Sequence, residues 1–108
     1  MVGKIKLAYT SHVISYLDDL VRVLYKNDYF GFIETAEEYV LNIYDFVSGN
    51  IKSSQHRITP KRIQYLGSNY IFYKVNKRTT WFIFFEKQNE NFLITGILNN
   101  HCEEANVL

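Results

Sequence analysis

The chain has 108 residues, of which 47% are hydrophobic and 17% aromatic, with a formal net charge of +1. That length and apolar content suit one folded domain spanning residues 1–108 and exclude a disordered, charge-rich tail. The single cysteine, Cys102, excludes an internal disulfide and any CxxC metal or redox motif.

The charge is unevenly placed. Residues 1–50 hold four Lys/Arg against seven Asp/Glu, whereas residues 51–102 hold eight against two. From Phe46 to Phe85 there is no carboxylate at all, while Lys52, Arg57, Lys61, Arg62, Lys74, Lys77 and Arg78 all fall in that stretch. A one-signed tract attracts polyanions, and nucleic acid is the first candidate partner. The N-terminus lacks an apolar leader core, and the longest apolar run, Trp81 to Phe85, is far short of the ~20 residues that span a bilayer. A cytoplasmic protein with no membrane partner is expected.

Ile5, Leu7 and Tyr9 alternate with Lys4, Lys6 and Ala8, which predicts a short opening strand. Ser11 is the expected N-cap of a first helix, because Val13, Leu17, Leu20, Val21 and Leu24 recur at helical spacing beyond it. Asn27, Asp28 and Gly31 interrupt that pattern; Ala36, Val40, Ile43 and Val47 then form a second stripe, stopped at Gly49-Asn50. The segment 51–67 follows neither period and reads as a long ordered loop. Three aromatic-rich strands follow at 69–75, 80–87 and 91–98, linked by turns at 76–79 and 88–90.

The expected fold is therefore α+β, in the order β-α-α-β-β-β. A helical hairpin packs on one face of a mostly antiparallel four-stranded sheet, with the core at about residues 4–101. Pleating puts Ile71, Tyr73 and Val75 on the core side and Tyr70, Phe72 and Lys74 on the other. Phe82 and Phe84 share that second face. Two consecutive helices cover one side only, so Phe72, Phe82 and Phe84 are expected to form a surface for a partner.

Three dispersed histidines and one cysteine have no metal-ligand spacing, and no Gly-rich phosphate loop occurs. Neither a metal nor a cofactor is expected. His56 lies in the loop and His12 at a helix start, where ordinary structural roles account for them.

The element order, with the run 70–75, the turn through Arg78, the run 79–85 and the segment 97–101 ending at His101, resembles the RelE/ParE superfamily of toxins from bacterial type II toxin-antitoxin systems. The resemblance covers nearly the whole chain, about residues 4–101. It implies either of two activities, ribosome-dependent cleavage of messenger RNA or inhibition of DNA gyrase, and a cognate antitoxin as partner; a homologue that only binds is the third alternative. For metal-independent cleavage the implied catalytic residues are His101, Lys74, Arg78 and Lys61, which would supply a base, an acid and cations for a phosphorane. Lys52, Arg57, Arg62 and Lys77 would contact phosphate, and Tyr70 would stack a base. Tyr70 stands where many members of the family carry an arginine.

Overall fold

A computed structural model describes residues 6–26 and 33–108. Strand β1 (Lys6–Tyr9) leads into helices α1 (Ser11–Lys26) and α2 (Ile33–Asn50). Four further strands follow: β2 (Arg57–Ile58), β3 (Asn69–Lys74), β4 (Thr80–Gln88) and β5 (Asn91–Asn99). A short 3₁₀ helix spans Lys61–Leu66 and another Glu103–Val107. The five strands form one mixed sheet in the order β1-β5-β4-β3-β2; β1 runs parallel to β5 and the other pairs are antiparallel.

The α+β architecture and the helical pair match the expectation, with a fifth strand added. β2 arises inside the predicted loop, where Arg57 and Ile58 pair with Tyr70 and Asn69. Two residues leave too little alternation to be read as a strand beforehand. Lys4 and Ile5 of the opening strand, and the expected helix breakers Asn27, Asp28 and Gly31, lie outside the described residues.

Helix α1 is capped one residue before the expected position. The Thr10 hydroxyl accepts from the Val13 amide at 3.3 Å, which satisfies one of the amide groups left free at a helix start. Val13 and Leu17 of α1 meet Val40, Ile43 and Val47 of α2 over Ile71, Trp81, Ile83, Phe85, Phe92 and Ile94 of the sheet. This is the main core, and the helical stripes assigned from spacing are the ones buried in it.

In β5 the pairing partner of Phe84 is Gly96 and that of Phe85 is Ile94, so Thr95 is the extra residue of a bulge. A bulge reverses which side the following residues face. Phe92 and Ile94 accordingly point towards the helices, and Leu98 points to the opposite face. Thr95 donates its hydroxyl hydrogen to the Leu66 carbonyl at 2.6 Å, tying the sheet to the first 3₁₀ helix.

That tie explains the main departure from expectation. The second sheet face is covered by the chain itself: Ile63 and Leu66 from the first 3₁₀ helix, and Ala105, Val107 and Leu108 from the C-terminal segment, pack on Tyr70, Phe82, Phe84 and Leu98. The packed region thus continues beyond residue 101. Gly96 permits the close approach, because a Cβ there would stand 2.7 Å from the Leu66 carbonyl oxygen.

At the other end of the helix-facing core the rings of Tyr9 and Tyr44 meet edge to face at 5.1 Å. Burial first, and the neighbouring Tyr44 hydroxyl second, push Tyr9 up to about 12 from its ordinary value of 10.0. A folded value above the unfolded one means that the neutral phenol contributes stability in full below pH 10, and that this contribution is lost as pH rises through about 12. The urea midpoint should therefore fall across that alkaline window, and Tyr9→Phe should reduce the fall. An alkaline loss equal in both proteins would refute this account.

Candidate nucleic-acid interface

The cover on the second sheet face is incomplete. At the end formed by β2, β3 and the start of β4 a groove of about 360 Å³ remains open, lined by Arg57, Tyr70, Phe72, Lys74, Thr80, Phe82 and Leu108. Register places these groups together: Arg57 pairs with Tyr70, Phe72 with Phe82, and Lys74 with Thr80. Period-two alternation then sends Tyr70, Phe72, Lys74, Thr80 and Phe82 to the same side.

Phe72 is 44% exposed and forms the open part of the aromatic floor. The Arg57 guanidinium carbon lies 5.2 Å from its ring centroid, a cation–π contact that holds the charge above the floor. Tyr70 keeps only 8% exposure and meets Phe82 edge to face at 6.0 Å. It contributes a ring edge to the groove; a free stacking face, as expected for base stacking, is not available. Among the described residues no Asp or Glu side chain lines the groove.

The other predicted residues are dispersed. Phe84, expected at a partner surface, has 0% exposure because Ile63 and Tyr70 pack over it. The carboxylate-free tract does not produce a carboxylate-free surface, since folding brings acidic residues from outside it. Lys52 pairs with Glu90 at 3.6 Å, and Arg62 shares a surface hollow with Glu103 and Glu104. Lys61 sits exposed at the start of the 3₁₀ helix and does not line the groove.

His101 and Arg78 come to the same end of the sheet. His101 Nε2 lies 3.2 Å from the Thr79 hydroxyl, and the Asn100 side-chain NH₂ donates to the Arg78 carbonyl at 2.9 Å. The turn between β3 and β4 is shaped by Asn76, whose side-chain oxygen accepts from the amides of Arg78 and Thr79 at 2.8 and 2.9 Å. Lys77 and Arg78 are thereby presented, exposed, at its tip. Lys74 opens into the groove, however, whereas His101 lines a separate cavity on the helix side. Of the four residues expected to act on one phosphate, Lys74 lines the groove and His101 the other cavity, while Arg78 and Lys61 line neither.

His56 has a structural role. Its Nε2 donates to the Ile51 carbonyl at 2.6 Å, and its ring meets Phe85 edge to face at 4.9 Å. Among the described residues no group of three His, Cys, Asp or Glu side chains is placed to hold a metal ion, and no helix is long and apolar enough to cross a membrane.

Comparison of the chain with protein-family models, with characterised proteins and with solved structures finds no match. The functional reading therefore rests on the residues themselves.

Thr80 and Leu108 line the groove without being among the residues expected there. Alternation along β4 places Thr80 beside Phe82 and could have identified it; nothing in the local pattern signals that Leu108 folds back.

Proposed function

We propose that the chain is a cytoplasmic RelE/ParE-like toxin domain that engages single-stranded RNA along the second sheet face and inhibits translation, with a cognate antitoxin covering that face in the resting state. The observation that supports this most is the groove with Arg57 and Lys74 on its walls, Phe72 and Phe82 on its floor, and no Asp or Glu side chain among the described residues that line it. Cations bind phosphates whatever the sequence, and exposed rings stack unpaired bases; together they make the usual single-strand platform. The same aromatic floor offers an antitoxin segment an apolar anchor at Phe72 and Phe82.

Messenger RNA cleavage at the ribosome is the fuller form of this reading. It draws support from the contact of His101 with Thr79, in the turn that carries Arg78, at the sheet end where Lys74 pairs with Thr80. The separation of His101 and Lys74 into different cavities favours binding ahead of cutting in the free protein. In the cleaving form His101 handles the protons, and Lys74, Arg78 and Lys61 counter the phosphorane charge.

Induced expression in a bacterial host tests the proposal, with growth, labelled protein synthesis, message integrity and plasmid supercoiling followed in parallel. Translation arrest is expected. Cut message would add the nuclease step, whereas intact message with normal supercoiling would leave RNA binding alone. Arrest of supercoiling with translation initially intact would instead support gyrase inhibition, and unimpaired growth with no RNA affinity would end the toxin reading.

A further inference from the structure

The cavity that His101 lines has about 460 Å³ and lies between α1, α2 and the helix-facing side of the sheet. That volume falls within the roughly 300–1,000 Å³ of small-ligand sites. One wall is apolar, built from Leu20, Val23 and Leu24, and another is aromatic, built from Tyr16, Tyr39 and Trp81. The indole is fixed in place: Trp81 Nε1–H donates to the Tyr39 hydroxyl at 2.9 Å, and the Tyr16 ring stands edge-on to it at 6.4 Å.

The polar groups lie together with these walls, and they are biased towards donating. Asn76 uses its side-chain oxygen on the amides of the turn, and Asn99 uses its own on the His101 amide at 2.9 Å and on the Cys102 thiol. Neither side-chain NH₂ has a hydrogen-bond partner among the described residues, so two amide donors are left over among the lining residues, and no Lys, Arg, Asp or Glu among the described residues lines the cavity. A charged group entering such a site would be desolvated without a counter-charge. The fitting ligand is flat, uncharged and rich in ring-nitrogen and carbonyl acceptors.

We propose that this cavity accepts one unstacked nucleobase. The inference deepens the RNA reading, because the cavity and the groove are neighbours around one hairpin. Thr80 lines the groove, the adjacent Trp81 lines the cavity, and the turn carrying Lys77 and Arg78 closes the strands between them. A strand whose phosphates follow Arg57 and Lys74 reaches the cavity by passing that cationic turn.

Trp81 is the only tryptophan in the chain, so tryptophan fluorescence comes from the indole that lines this cavity. Titration of the full chain with free adenosine, guanosine, cytidine and uridine, which carry no phosphate, should give a saturable change in Trp81 emission with at least one of them. Asn99→Ala should weaken that binding roughly threefold to tenfold, the effect of one lost hydrogen bond. Val23→Phe, which adds bulk from the half-exposed face of α1 without touching the main core, should abolish it with the protein still folded. Arg57→Ala and Lys74→Ala should leave nucleoside binding unchanged while reducing oligonucleotide binding. No saturable response to any nucleoside, or a response that survives Val23→Phe, overturns the nucleobase site even where oligonucleotides bind. Nucleoside binding without oligonucleotide binding upholds the site and overturns the RNA reading instead.

Discussion

Gly67→Ala is expected to destabilise the domain by about 2–6 kcal/mol, enough to unfold much of it, since domains of this size are held by about 5–15 kcal/mol. Gly67 leaves the first 3₁₀ helix at φ 152° and ψ 152°, a region that residues with a side chain rarely enter. Strain of that kind costs about 1–3 kcal/mol. The added methyl would also stand 2.5 Å from the Thr95 hydroxyl, 2.8 Å from the Phe85 amide nitrogen and 3.0 Å from the Phe84 Cβ. The neighbours cannot yield easily: Thr95 is bonded to the Leu66 carbonyl, and Phe85 is central sheet backbone. Overpacking adds about 1–3 kcal/mol. Gly49, in the last turn of α2, is the internal control, because nothing lies within 4 Å of a Cβ there. Gly49→Ala should stabilise by about 0.4–1 kcal/mol. Urea unfolding of the two variants decides the matter, and an unchanged midpoint for Gly67→Ala would show that the cover on the second face is not seated as described.

This same region marks the limit of what the sequence discloses. The helical stripes and aromatic strands were readable because burial on one face imposes a period, and Val13, Leu17, Val40, Ile43 and Val47 all lie where that period puts them. The segment 51–67 carries no period. Its position depends on contacts between residues far apart in sequence: Gly96 lets the Leu66 carbonyl approach, Gly67 turns the chain against Phe85, and Thr95 supplies the bond. Pleating alone therefore puts Phe84 on an open face, whereas the chain itself covers it.

The basic tract shows a related limit. Its composition was plain, but its field was not, because Glu90 reaches Lys52, and Glu103 and Glu104 share a hollow with Arg62. Phe72 and Lys74, two residues apart on a regular strand, kept their predicted shared face. Arg57 joined them only through a pairing that its two-residue strand gave no means of anticipating.

The groove's role leads to the second large effect. The double change Arg57→Ala, Lys74→Ala should weaken binding to a single-stranded RNA oligonucleotide and reduce the slope of log affinity against log salt by about 1.4, as two phosphate contacts of about 0.7 each are lost. Phe72→Ala should act differently. Loss of one stacking platform weakens binding by about 1–3 kcal/mol for every base sequence and leaves the salt slope in place, because no charge is removed. Lys52→Ala should change little, since that ammonium is paired with Glu90 and does not line the groove. Arg57, Lys74 and Phe72 are all exposed, so stability should hold to within about 0.5 kcal/mol for the two cations. Fluorescence anisotropy across a salt series separates the two terms. Should the double variant keep the parent's slope, the groove does not carry the phosphates; should Phe72→Ala bind as the parent does, bases do not stack on this face. With both terms intact as expected, the double variant should also lose translation arrest on induction, because the oligonucleotide and the message would share the same cations and the same ring.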